Sequence, residues 1–192
     1  MKKFELTNEF ITNMFGTKLF RIRALVEFGD VEAGELGGYV EKESNLGHDD
    51  NAWVYDNAWV YDNAWVYGDA QVSGDALVYD NAWVYGDAQV SGDARVCGNA
   101  RVYGDARVCG NGDYAYAHGF GSVNRTTTFF RLKDGGVGVR CGCFYGTLAQ
   151  FRDKIRETHG ESAIAEEYLD LAALMEKRFR RTGNEQKTEE ES

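Results

Sequence analysis

From Asn51 to Gly110 the chain keeps a six-residue beat of inward and outward positions: NAWVYD, NAWVYD, NAWVYG, DAQVSG, DALVYD, NAWVYG, DAQVSG, DARVCG, NARVYG, DARVCG. Ala stands second and Val fourth in all ten hexads, and Asp, Asn or Gly closes each end. A period this short, kept without a break, specifies a solenoid rather than a helix or a sandwich. The recurring Gly, Asn, Asp and Val also work against a helix. In an extended segment Ala and Val point inward and the residue between them points out. The Gly-Asp, Gly-Asn or Asp-Asn pair then turns a corner, because these residues tolerate positive φ and hydrogen-bond their own turn. Three such sides make an 18-residue coil, and coils about 4.8 Å apart are expected to satisfy one another's backbone amides.

Three hexads per coil sort the outward residues into faces. One carries Tyr67, Tyr85 and Tyr103 beside Trp65, Trp83 and Arg101. A second carries Trp59, Leu77 and Arg95 with Tyr61, Tyr79 and Cys97, and the third carries Trp53, Gln71, Gln89 and Arg107 with Tyr55, Ser73, Ser91 and Cys109. The first face is an aromatic plate. Like side chains a coil apart can stack on one another and stabilise the solenoid. A contiguous exposed aromatic patch also marks a subunit or partner interface, and Trp65, Tyr67, Trp83, Tyr85, Arg101 and Tyr103 are its candidate residues. A homo-oligomer built through this plate is expected.

An aliphatic residue followed four places later by a small one, as in Val54 then Ala58, Val60 then Ala64, and Val66 then Ala70, resembles the left-handed parallel β-helix of hexapeptide-repeat proteins. The left hand is implied by that resemblance and runs against the general rule for crossovers. Val40, Ser44 and Leu46 share the spacing before an irregular step at Gly47–Asp50, so a first imperfect coil is expected there, with four to five coils in all.

On the flanks, KLFRIRAL at 18–25 reads as a strand and Phe28–Gly38 as a Gly-rich turn region, together covering the solenoid's open edge. After Gly110 the hexads decay through NGDYAYAHGFGS. A hairpin follows: TTTFFRLK, the turn Asp134-Gly135-Gly136, and VGVRCGCF. Thr147 with Gln150 forms a capping box for a helix that buries Leu148, Phe151 and Ile155 and stops at Gly160. Ser162 caps a second helix with Ile164, Tyr168, Leu171, Met175 and Phe179 on one face. The fold class is therefore mainly β: a hexapeptide-repeat β-helix with a C-terminal hairpin and two-helix end piece. The segments are a cap at 1–38, the β-helix at 39–118, the end domain at 119–182 and a polar tail at 183–192 expected to be disordered.

LFRIRALVEFGDVEAGELGGYVEKE at 19–43, GFGSVNRTTTFFR at 119–131 and CGCFYGTLAQFRDKIRETHG at 141–160 resemble a group of phage- and prophage-encoded proteins, of largely uncharacterised function, that join such a solenoid to such an end piece. With the repeats, these strings cover most of the chain. The resemblance implies phage origin, a place in the cytoplasm of a bacterial host, and a host defence or regulatory component as target, either a protein or a nucleotide signal. It supplies no activity to carry over.

Composition narrows the chemistry. No apolar run among the 192 residues approaches the roughly 20 needed to span a bilayer, the start lacks a signal-peptide core, and four cysteines in that setting read as free thiols; a soluble cytoplasmic protein without membrane contact is expected. The formal charge of −10 and pI near 4.8 disfavour nucleic acid as a partner, which needs a cationic footprint. Residues 51–110 carry −5 and residues 119–182 carry +3. Over roughly 16 Å of stacked coils that acidity is about half the charge density of duplex DNA, so DNA mimicry draws little support from it.

Hexapeptide β-helices include acyltransferases that use a His base and acyl-CoA, so His48, His118 and His159 are the residues to weigh, His118 being the weak candidate. No long loop interrupts the hexads to build a pocket, and no catalytic residue is assigned. Cys141-Gly142-Cys143 is a single close pair, so neither a metal nor a cofactor is expected. Asn124, Arg125, Thr126, Thr127, Thr128 and Arg131 place two guanidiniums and several hydroxyls beside GFGS, the ingredients of a small anionic or nucleotide ligand site. Replacing both arginines is expected to remove binding and leave the fold intact. The reading is a non-catalytic binding protein that inhibits a host protein or sequesters a nucleotide signal. The alternative is a hexapeptide-repeat acyltransferase.

Overall fold

The computed structural model describes residues 2–121 and 123–190, with side chains described as far as Thr182. Of the tail at 183–192, expected to be disordered, residues 183–190 instead continue the second helix of the end unit, and 191–192 lie outside the described residues. The chain divides into two compact units, one reaching to Asn111 and one starting at Gly112.

The first unit is the solenoid with its cap. Strands β1 (Phe4–Thr12), β2 (Lys18–Ala24) and β3 (Leu36–Val40) lead into ten short rungs: β4 (Trp53–Val54), β5 (Trp59–Val60), β6 (Trp65–Val66), β7 (Gln71–Val72), β8 (Leu77–Val78), β9 (Trp83–Tyr85), β10 (Gln89–Val90), β11 (Arg95–Val96), β12 (Arg101–Tyr103) and β13 (Arg107–Val108). Three parallel stacks result, β3-β5-β8-β11, β4-β7-β10-β13 and β6-β9-β12, the last extended by a bridge from Leu46 to Val66. Each face therefore has four rungs, and the solenoid has about four turns. Within the ten hexads the register is 18 residues throughout: Gln89 over Gln71, Val96 over Val78, Trp83 over Trp65. The Ala and Val columns from Ala52 to Val108 are fully buried, as the alternation requires.

The corners are more specific than a turn preference. In nine of the ten hexads the sixth position sits at positive φ, and where it is not glycine it is Asp: Asp56 at 52°, Asp62 at 57° and Asp80 at 58°. Coil-to-coil ladder bonds leave from positions one, three and five, as from Asn57 to Gly74, Trp59 to Ala76 and Tyr61 to Val78. The sixth-position amide takes another partner. Gly74 donates to the carboxylate of Asp56 (3.0 Å), Asp80 to that of Asp62 (3.4 Å) and Gly98 to that of Asp80 (3.0 Å). The coil-to-coil satisfaction of the amides is thus supplied in part by side-chain carboxylates.

The first coil is present and imperfect. Val40 pairs with Val60 and Leu46 with Val66, twenty positions on, whereas Val54 pairs with Val72, eighteen on. The irregular step at Gly47–Asp50 thus holds two extra residues. A 3-10 turn at Glu43–Asn45 alters the inward residue: Asn45 is buried and Ser44 exposed, opposite to the spacing-based expectation. The Asn45 amide donates to the carbonyls of Ala64 (2.8 Å) and Asp62 (3.2 Å), which satisfies polar groups that a small apolar residue would leave bare.

The cap is a three-stranded antiparallel extension, β1-β2-β3, of the second face, and β1 lies outside the strand predicted at 18–25. Phe4, Ile22 and Val31 are buried, and the ring of Trp53, sorted above as outward, is wholly covered by Phe4 and Phe28. Lys3 is buried with its Nζ donating to the carbonyls of Ala52 (2.8 Å) and Asp50 (3.2 Å). Burial pushes its amine down to about 8 against the pull of Asp50, Asp49 and Asp69. His48 stacks on Phe4 at 4.4 Å, and its Nδ1 accepts the Lys3 amide N–H at 3.2 Å.

The second unit is a four-stranded antiparallel sheet, β14 (Tyr114–Phe120), β15 (Arg125–Arg131), β16 (Val137–Cys141) and β17 (Phe144–Thr147), with helices α1 (Leu148–His159) and α2 (Ala163–Glu190). The predicted hairpin is its central pair, β15 with β16. Because β14 pairs with β15, the residues from Gly112 onward join the end unit, ahead of the expected boundary at 118/119. Phe129 and Val139 meet Leu148, Phe151 and Ile155 of α1 and Tyr168, Leu171, Met175 and Phe179 of α2 in one core. Both caps form as read: Gln150 N–H to Thr147 Oγ1 at 3.3 Å, and Ala165 N–H to Ser162 Oγ at 3.3 Å.

Two outcomes follow from the corners and the cap. Asp80→Ala removes an acceptor and places a Cβ without compensation at positive φ, so denaturant titration should show a loss of about 2 kcal/mol. Asp80→Gly, which keeps the backbone relaxed, should lose about half as much. Burial first, helped by Lys3 and Lys2 and opposed by Glu43, holds the His48 imidazole below its ordinary value. The folded protein therefore binds fewer protons than the unfolded chain as pH falls through that value. The stability is complete above about 6.5 and declines below it. The fall in unfolding midpoint between about pH 7.5 and 5.5 should shrink in His48→Asn, whose Oδ1 can accept the same N–H without titrating.

Candidate functional site

The aromatic face is assembled as the 18-residue coil requires. The Tyr67 and Tyr85 rings stack at 4.8 Å with 9° between planes, and Tyr85 meets Tyr103 at 4.5 Å. Trp65 lies on Tyr67 at 4.0 Å and edge-on to Trp83 at 5.6 Å, and the guanidinium of Arg101 sits 4.4 Å over the Trp83 ring. The six residues thus form one connected array. Self-stacking half-buries Tyr67, Trp83, Tyr85 and Tyr103, and Trp65 remains 38% exposed at the end of the array. The flatness follows from the parallel rungs beneath, which fix successive rings at one coil spacing and forbid them from splaying.

The six residues expected to bind an anion do not converge. They lie on and just before β15, whose side chains alternate across the sheet. Thr127 faces the helices, fully buried, with its hydroxyl donating to Cys141 Sγ at 3.2 Å; Thr128 is buried on the opposite face. The Thr126 hydroxyl is 2.8 Å from His118 Nδ1. Asn124 is exposed in a turn at φ 49°, and the Arg125 guanidinium occupies the space that a side chain at Gly142 would fill. Arg131 is structural. It donates to the Phe179 carbonyl at 2.8 Å, the Thr182 hydroxyl and the Gly135 carbonyl at 3.2 Å each, and its Nε is 3.6 Å from Asp113, which is 2% exposed. Its charge is committed to a buried carboxylate and to carbonyls of α2 and of the β15–β16 turn, so the expectation that its loss would spare the fold is reversed.

His118, the weak catalytic candidate, is paired with a hydroxyl and sits on an exposed strand position. His159 stacks against Tyr168, and His48 is a cap residue. The Tyr168 hydroxyl donates to the Phe120 carbonyl at 3.4 Å and lies 3.9 Å from Cys141; burial, then the neighbouring thiol, push its phenol up to about 12. Among the described residues no group of three or more His, Cys, Asp or Glu side chains is placed to hold a metal ion, and no helix is long and apolar enough to cross a membrane. The four cysteines are free thiols.

Two features of the first unit escaped the reading of the repeats. A groove of about 340 Å³ lies on the second face, lined by Ile11, Tyr39, Asn57, Trp59, Asp75 and Leu77. The turn between β1 and β2 holds Met14 89% and Phe15 81% exposed. The signal for the latter was two large apolar residues between Asn13 and Gly16, where a turn ordinarily carries polar ones.

Residues 70–86, 88–100 and 94–110 match the YdcK beta solenoid repeat. No curated protein matches the chain. The matched repeat and the stacked rungs together make the chain a β-helix repeat protein.

Removing Arg131 leaves Asp113 buried without its cation. Arg131→Gln should destabilise the end unit by roughly 3 kcal/mol, read by urea titration. Arg125→Gln, at an exposed position, should stay within about 0.5 kcal/mol of wild type.

Proposed function

We propose that this β-solenoid repeat protein is a non-catalytic binding protein whose aromatic face is the recognition surface. The observation that carries the reading is the continuous array from Trp65 through Tyr103, a rigid patch built from Trp, Tyr and Arg and fixed before any partner arrives. Those residue types dominate the energetics of protein interfaces, and preorganisation lowers the entropy lost on docking. A folded protein with a flat apolar surface and an acidic group opposite Arg101 fits it. The resemblance of the flanks to phage-encoded proteins supports a protein of the bacterial host as that partner, held inactive by a rigid, unreactive scaffold. Arg131 is committed to the end unit's own core, which removes the main support for a nucleotide held on β15.

The test is affinity capture from bacterial lysate with wild type and with Trp65→Ser/Trp83→Ser, followed by mass spectrometry and titration of the recovered protein. The double variant should fold, since Trp65 is exposed and Trp83 half-buried, and should bind at least tenfold more weakly, as truncating central aromatic anchors does. Equal binding by the variant would move the surface elsewhere. A rise in melting temperature with millimolar acetyl-CoA would replace the reading with the acyltransferase one.

A further inference from the structure

The β1–β2 turn is built to hold two apolar side chains in solvent. Asn13, nearly buried, accepts the N–H groups of Phe15 (3.0 Å) and Thr17 (2.9 Å) on its Oδ1. Its backbone closes the loop through Asn13 N–H to Thr17 O and Gly16 N–H to Asn13 O, both 3.0 Å, with Gly16 at φ 84°. Four hydrogen bonds fix five residues, and the two side chains at the tip are Met14 and Phe15. Phe10, 45% exposed, continues the apolar surface down the hairpin beside Phe20, and the Lys18 ammonium lies 4.3 Å over its ring. A rigid apolar tip of this size is the form of an interface anchor.

The matching concavity is on the same sheet. Ile11, three positions before Met14, lines the groove with Tyr39, Trp59 and Leu77 as an apolar floor, and Asn57 and the exposed Asp75 stand with them as polar lining. We propose that the hairpin is a reciprocal docking prong: Met14 and Phe15 of one copy seat in the Ile11–Tyr39–Trp59–Leu77 groove of a second copy, and the second copy does the same to the first.

Three features select a second copy over another occupant. Prong and groove adjoin on one sheet, so a two-fold axis beside Ile11 brings both pairs together and closes the assembly. One Phe and one Met, with the walls they cover, bury roughly 600 Å². That falls below the roughly 1,200 Å² of a specific interface, which two reciprocal insertions reach. The charges are also opposite in sign, with Lys18 at the foot of the hairpin tip and Asp75 in the groove lining. This contact is separate from the aromatic face, and neither depends on the other.

Sedimentation equilibrium over about 1–100 µM, a range that spans the affinities of small interfaces, tests it. Wild type should show a concentration-dependent dimer. Met14→Ser/Phe15→Ser and Leu77→Glu should each be monomeric, and their mixture should regain a dimer at least tenfold weaker than wild type, because one intact prong then meets one intact groove. Lys18→Glu should weaken the dimer and Lys18→Glu/Asp75→Lys restore it; both positions are exposed, so this pair serves even where Leu77→Glu disturbs the rung. Trp65→Ser/Trp83→Ser should leave the dimer unchanged. A monomeric wild type, a dimer surviving Met14→Ser/Phe15→Ser, or no recovery in the mixture would each overturn the proposal. Co-sedimentation of a monomeric wild type with phosphatidylcholine vesicles would assign the prong to a bilayer instead.

Discussion

Everything in the solenoid depends on the 18-residue register, because each coil's donors at positions one, three and five find acceptors only if the next coil repeats the same path. Three sides converging on one axis leave space for one Val and one Ala per side, so those columns admit little variation; a larger inward residue would push the coil outward and break the ladder on all three faces. Variation is displaced to the outward third and fifth positions. A residue type repeated at 18-residue spacing therefore becomes a stripe on one face. Tyr67, Tyr85 and Tyr103 show the principle: one tyrosine per coil on this face becomes a stacked array.

A solenoid has to end, and its ends are where the rule is relaxed. The two extra residues between Leu46 and Val54 shift the first coil without disturbing the pairs on either side of them. Asn45 makes this workable, since its side-chain amide reaches the carbonyls of Ala64 and Asp62. Beyond it, β2 turns antiparallel and β1 follows, so the exposed rung of the last parallel strand is covered by the chain itself. The edge of β1 carries a register shift between Leu6 and Phe10, a distortion that blunts edge-to-edge pairing.

Much of this was legible in the chain because repetition amplifies a weak signal. One NAWVYD fragment says little, whereas ten in phase specify the inward columns, the three faces and the aromatic plate. The end unit was legible where local chemistry is strong, at the Thr147 and Ser162 caps and the Asp134-Gly135-Gly136 turn. The strand at Tyr114–Phe120 was hidden by its likeness to a decaying hexad, and pairing with β15 decides it. Arg131 was misread for a related reason: a guanidinium among threonines describes an anion site and a buried ion pair equally well. Only the tertiary position of Asp113, eighteen residues upstream in sequence and adjacent in space, separates them. The prong at Met14 and Phe15 has no periodicity, so alternation could not reveal it.

The acidity of the solenoid has a structural origin. At the corners the backbone demands positive φ, which glycine meets at no steric cost and Asp meets with strain. Asp persists at 56, 62 and 80 because its carboxylate also accepts the amide one coil further on, a bond glycine has no atom to make. Part of the charge of the repeats is thus carried by groups that hold successive coils together at the corners. In the end unit the cations are similarly engaged: Arg131 on Asp113 and Phe179, Arg140 on the Cys143 carbonyl, Arg178 on the Tyr114 carbonyl. With so many ionic groups tied to the fold, the exposed apolar side chains stand out against it, and on the first unit the most exposed of them are Met14 and Phe15 at the hairpin tip.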